Sequence, residues 1–301
     1  MLRFISLTLL FLVVVTGGFL LILTRANGFT DPFYVRFTTP PQQNMIIGTS
    51  RSAQGIVPSS FKSILKKELF NYSFTAGHSP YGPIYLNSIK KKLDPSTKDG
   101  IFILSIDPWA ISAGTGDPNS ASEFLENDLM LANMETVNSN PNFEYLLQEL
   151  KGNYHLTLFN SNTVTFLHQD GWLEVTIPMD SSSVAIRTIR KIKNYRTENL
   201  PNMKISQTRI DYLNQTIDFL KSYGKVYLVR LPIGEELLEI ENEYSANFDD
   251  LMRASIERAD GYLDLTKRDE RFLFTDGNHL WKDSALEVSN IIAAWIGRGA
   301  K

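Results

Sequence analysis

Asp276-Gly277-Asn278-His279 sets a carboxylate three residues ahead of an imidazole, close to the C-terminal Lys301. An aspartate so placed can hold a histidine in one tautomer and stabilise the imidazolium that forms when the ring takes a proton. That is half of a nucleophilic catalytic site; the other half is a hydroxyl that the histidine can activate. Asn44-Met45-Ile46-Ile47-Gly48-Thr49-Ser50-Arg51 offers one. An apolar strand and a glycine would deliver Ser50 to the strand's C-terminal end, with its own amide able to bind an oxyanion there. Each stretch has a plainer reading. Aspartate, glycine and asparagine form turns, so a loop in which Asp276 only caps local amides fits as well. Thr49 and Ser52 make the Ser50 segment an ordinary hydroxyl-rich loop.

The surrounding chain must bring these two loops together. From Asn44 onward, strand-like and helix-like stretches alternate. The strands read as Met45–Gly48, Leu69–Phe74, Gly100–Ile106, Lys225–Leu231 and Tyr262–Leu265. The helices read as Ser59–Leu69, Tyr81–Leu93, Ser206–Tyr223, Tyr244–Arg258 and Asp283–Ile296. Gly100–Ile106 is a continuous apolar run, as in a strand buried on both faces. The alternation predicts an α/β fold, a three-layer α/β/α sandwich around a central parallel five-stranded sheet. Loops after the first strand and before the last helix then share the sheet's C-terminal edge, where such folds place their ligands.

Residues 109–201 interrupt the alternation and read as a cap-like insertion. Helical stretches are expected over Ser122–Val137 and Asn142–Leu150, then a hairpin over Asn162–Ile177 with a type I′ turn at Asp170-Gly171. A basic run follows at Arg187, Arg190, Lys191, Lys193 and Arg196. It is either a solvated face or a contact for anionic glycan or lipid headgroups. Tyr81, Trp109 and Trp172 are candidates for stacking on sugar rings or for the core, with the core favoured for Trp172.

The N-terminus bounds the setting. Phe4–Leu23 is apolar, carries no charge and is long enough to cross a bilayer. Thr24-Arg25-Ala26-Asn27 is a poor cleavage site, so an uncleaved anchor over 1–25 is expected. Arg3 and the terminal amine favour N-inside, placing the C-terminal domain (44–301) outside the cytoplasm. Residues 26–43, with Pro32, Pro40 and Pro41, read as an extended stalk.

Composition excludes several classes. The chain lacks cysteine, which removes disulfides, thiolate catalysis and cysteine zinc sites. No pair among His78, His155, His168 and His279 has metal-ligand spacing, and no glycine-rich phosphate loop occurs, so neither a metal nor a cofactor is expected. A net charge of −3 gives no reason to expect nucleic acid.

Gly48-x-Ser50 after the first strand, a glycine after the second, and Asp276-x-x-His279 before the last helix resemble the SGNH (GDSL-like) hydrolase superfamily, whose sheet is flavodoxin-like. Gly48-Thr-Ser-Arg-Ser52 and Asp276-Gly-Asn-His-Leu280 look like its membrane-anchored, cell-envelope branch, which includes DltD-like proteins and acyl-modifying proteins of polysaccharide export. The resemblance spans about 44–107 and 206–298. It implies Ser50 as nucleophile, His279 as general base, Asp276 as its orienter, and the Ser50 and Gly77 amides as an oxyanion hole. Arg51, His78, Tyr81 and Asp107 would lie near the pocket. Asp107 stands where the family usually carries an asparagine, and an ionised aspartate cannot donate to an oxyanion. The implied function is a serine esterase or O-acyltransferase acting on acyl groups, acetyl foremost, of an envelope or exported polysaccharide, with envelope-assembly proteins as possible partners. A binding or assembly factor on the same scaffold is the alternative, and a small-molecule-binding α/β domain a third.

Overall fold

A computed structural model describes residues 1–114, 116–159, 163–267 and 272–300. The elements that position the site are α1 (Leu2–Leu23), β1 (Met45–Ile47), α2 (Ser50–Gly55), α3 (Pro58–Leu65), β2 (Phe70–Asn71), α4 (Pro83–Lys92) and β3 (Gly100–Ser105). After the insertion's α5 (Ser181–Asn194) come α6 (Gln207–Lys221), β4 (Gly224–Arg230), α7 (Glu235–Tyr244), β5 (Gly261–Asp264) and α8 (Lys282–Gly297).

The five strands form one all-parallel sheet in the order β2–β1–β3–β4–β5. The chain runs outward from β1 to β2, then returns past β1 to β3. The direction of winding therefore reverses beside β1, and the crevice at such a switch point opens at the strands' C-terminal ends. Successive strand residues alternate between two apolar clusters, as the period-two pleat requires. Met45, Ile47, Phe102, Leu104, Val226 and Leu228 enter one, together with Tyr85 and Ile89 of α4 and Leu213 and Ile217 of α6. Ile46, Ile103, Tyr227 and Val229 enter the other, with Phe61 of α3 and Val288 and Ile292 of α8.

Helix α1 is long and apolar enough to cross a membrane. Its last turn does not stand free. Leu23 is fully buried in the first cluster, and Phe19 meets Tyr154 edge-on with ring centroids 5.0 Å apart.

Several segments differ from the sequence expectation. Residues 26–43 are not an extended stalk. Asp31 accepts the amides of Phe33 and Tyr34 and starts a 3-10 turn over Tyr34–Phe37, which is buried throughout. The prolines suggested a linker, but Tyr34, Val35 and Phe37 carry enough apolar surface to be drawn into the core. In place of one helix over 122–137 there are 3-10 turns and the short helix Met130–Asn133. The helix expected over 244–258 splits into Phe248–Leu251 and Arg253–Arg258, and α7 precedes it.

The hairpin pairs Thr165–Leu167 with Leu173–Val175, and His168 N–H donates to Trp172 C=O. Asn162, the expected first residue, lies outside the described residues. The loop is therefore three residues, Gln169-Asp170-Gly171, with positive φ only at Gly171. A type I′ turn needs positive φ at two positions, so this is the three-residue class closed by a glycine. A side chain at Gly171 would also strike the Asn71 carbonyl, because the hairpin tip docks on β2: Asn71 N–H donates to Asp170 C=O.

Candidate active site

Ser50 opens α2, immediately past the end of β1. Gly48 makes that placement possible. A Cβ there would fall 2.9 Å from the Ser105 Cβ and 2.5 Å from Ser52 Oγ, so any larger residue would push β1 away from β3. As the first residue of a helix, Ser50 has an amide without an intrahelical acceptor.

The Asp276 loop reaches the same point from the other end of the domain. Gly277 has φ +77°, a conformation that favours glycine, and its carbonyl accepts from Gly234 N–H at 2.8 Å. Asp276 Oδ1 accepts the amides of Asn278 (3.0 Å) and His279 (2.9 Å), which closes the turn. The same carboxylate lies 3.0 Å from His279 Nδ1, and His279 Nε2 lies 2.9 Å from Ser50 Oγ. With Nδ1–H donated to Asp276, Nε2 is the acceptor for the serine proton. Burial pushes the Asp276 carboxyl up, but the bond to His279 and the charges of His279 and Lys191 outweigh it and hold the group well below the usual range. The Asp276 carboxyl is thus held toward its ionised form.

No family model matches the chain. No curated protein matches it either.

Asn278, which sequence reasoning passed over, completes the arrangement. Its Oδ1 accepts from Arg51 Nε (2.9 Å) and from the Tyr195 hydroxyl (3.1 Å). Two donors on that atom fix the amide's orientation, so Nδ2 turns toward the triad and lies 3.2 Å from His279 Nε2. Burial pushes the Tyr195 phenol up to about 12, which keeps it a donor. The position next to the histidine was the one available signal, and it said nothing about which way the amide would point.

Arg51 does not line the Ser50 cavity. It is buried, with Nη2 2.6 Å from Glu241 Oε1 in an ion contact outside linear hydrogen-bond geometry, and Nη1 3.9 Å from Asp107 Oδ2. Burial would lower its pKa, but Glu241 and Asp107 hold it up. Arg230 pairs with the other Glu241 oxygen at 3.2 Å. Asp107 is spent locally: Oδ1 caps the amides of Trp109 and Ala110, both at 2.9 Å. Its carboxyl is pushed up by burial and by Glu241.

The remaining candidates lie further out. Tyr81 is buried in the core and donates to Ser105 C=O. Trp109 is buried and stacks on Tyr244, and Trp172 donates its indole N–H to Gln54 C=O. His78 Nδ1 is 2.7 Å from Thr75 Oγ1, and burial pushes its pKa down. Gly77 lines a separate cavity of about 440 Å³ with Glu126 and Arg209, while Thr75, two residues earlier, lines the one at Ser50. The basic run divides. Arg187 donates to Thr275 C=O (2.7 Å), and Lys191 lies 3.2 Å from Asp276 Oδ2. Arg190, Lys193 and Arg196 are exposed, with Arg196 paired to Glu243.

Proposed function

We propose that this chain is a membrane-anchored, SGNH-type serine esterase or O-acyltransferase, working outside the cytoplasm on acyl groups of a cell-envelope or exported polysaccharide. The observation that carries the chemistry is the unbroken line Asp276–His279–Ser50, joined at 3.0 and 2.9 Å. Residues from opposite ends of the domain meet in hydrogen-bond geometry at the switch point of a parallel sheet. The resemblance of the Gly48-x-Ser50 and Asp276-x-x-His279 segments to the superfamily, and the apolar N-terminal helix, support the wider reading.

In this mechanism Ser50 Oγ attacks the ester carbonyl carbon while its proton passes to His279 Nε2. The new C–O bond forms as the carbonyl π pair moves onto oxygen. That oxyanion meets the Ser50 amide and, in this reading, Asn278 Nδ2, which takes the place of the donor absent at Asp107. Collapse expels the alcohol, which leaves with the proton from His279. Water or a sugar hydroxyl then attacks the acyl-enzyme by the same steps in reverse, giving hydrolysis or transfer. The Gly77 amide would join the hole if the 75–79 turn moves toward Ser50.

The test is fluorophosphonate labelling of the full chain in detergent, with p-nitrophenyl acetate turnover beside it. Labelling that vanishes in Ser50→Ala and His279→Ala supports the enzyme. Folded protein that neither labels nor turns over would sink it and leave the binding or assembly role.

A further inference from the structure

Beside Ser50 lies a cavity of about 150 Å³ whose wall surface is mostly apolar, although Gln54, Thr75 and Thr165 also line it. Phe33 comes from the segment after the membrane helix, Ala53 from α2, Phe74 from the chain after β2, and Leu173 and Val175 from the hairpin. Ser50 is the hydroxyl-bearing member of the wall that is bonded to His279. The one cation touching the cavity, Arg36, is already committed. Its Nε donates to Asn71 C=O, Nη1 to Pro32 C=O and Nη2 to Gly171 C=O, at 2.7–3.0 Å. Those bonds tie the cavity's floor to the hairpin tip and leave no free charge aimed into it.

Resting on the enzymatic reading above, we infer that this cavity receives the acyl chain of the substrate, and that the chain is longer than acetyl, up to about six carbons. Three observations carry this. The nucleophile's oxygen is on the cavity wall, so a carbonyl carbon at Ser50 Oγ can send its alkyl substituent inward. The mostly apolar wall suits an alkyl chain better than a sugar, whose hydroxyls facing Phe33, Phe74, Leu173 and Val175 would be left unpaired at a cost of about 1–3 kcal/mol each. The size matches: an apolar cavity of about 150 Å³ holds a benzene-sized guest, whereas an acetyl methyl would leave most of it empty. The glycan or other alcohol of the ester would then lie outside, on the open side of the triad.

Because Val175 and Leu173 belong to the insertion, acyl selectivity is set by the hairpin, while the triad belongs to the sheet. The full chain in detergent, assayed with p-nitrophenyl acetate, butyrate, hexanoate and decanoate, reads this directly. Each methylene buried from acetate to hexanoate should raise kcat/KM about fourfold, with a fall at decanoate. Val175→Phe should cut the hexanoate-to-acetate ratio at least about tenfold, and Val175→Ala should move the optimum to longer chains. A wild-type profile that is flat or falls from acetate overturns the inference and leaves the enzyme standing. So does a ratio that neither variant shifts. No turnover of any ester, with no labelling of Ser50, overturns both.

Discussion

At Asn278 a single side chain carries a choice between two neighbours. In the resting site its Nδ2 shares the His279 Nε2 lone pair with the Ser50 hydroxyl, at 3.2 and 2.9 Å. Once Nε2 has taken a proton it no longer accepts, and Nδ2 is released toward whatever negative charge stands nearby. Asn278→Ala should therefore lower kcat on the order of 100-fold, with KM little changed, the signature of a contact made in the transition state. An equal loss from Asn278→Asp, which keeps the size and removes the donor, separates donation from packing; full activity in Asn278→Asp would end the idea. That Ser50, Asp276 and His279 could meet was legible in the sequence, because each sits in a short local motif and the order of strands and helices sends both loops to one edge of the sheet. Asn278 was not. Its orientation depends on Arg51 and Tyr195, far away in the chain, and Arg51 in turn on Glu241 in a helix rich in surface glutamates. Nothing in one sequence distinguishes the buried glutamate from its exposed neighbours.

Among the elements, α5 is the one whose role changes most from sequence to structure. A basic amphipathic stretch reads as a solvated face, yet two of its cations turn inward to the Asp276 loop. Arg187 ties Thr275 C=O to Pro178 C=O, so the insertion braces the loop from outside the sheet. Arg187→Ala should speed amide hydrogen exchange over residues 275–279 and lower kcat by up to about 100-fold through misplacement of His279. Unaltered exchange would mean that the Asp276 turn holds itself. The sheet strands were readable from their apolar runs, although β2 pairs over only Phe70–Asn71 where six residues were expected. The 26–43 segment was misread because its prolines were given more weight than Tyr34, Val35 and Phe37, whose burial depends on the core they meet.

For the molecule as a whole, one buried cation sets a stability trend. Lys92 is buried, and Nζ donates to Thr39 C=O and Val137 C=O with no carboxylate within ion-pair distance among the described residues. Burial lowers its pKa from 10.5 to about 7. Between those values the unfolded chain holds a proton that the folded protein does not, so stability rises with pH across about 7 to 10.5 and the penalty is complete below 7. Urea midpoints at pH 7 and pH 9.5 should differ less in Lys92→Met than in the wild type; an identical difference would discard this assignment. The burial of Leu23 and the Phe19–Tyr154 contact have a consequence at the same scale. A helix whose last turn merges into the core has no swivel. If α1 crosses a membrane, Ser50 would sit at one fixed height above it, with Pro32 and Phe33 of the cavity wall about ten residues past the helix end at Leu23. A site held in this way would not sweep a hemisphere of solution. On the enzymatic reading proposed above, a passing polymer would meet Ser50 only while its ester groups stand at that height.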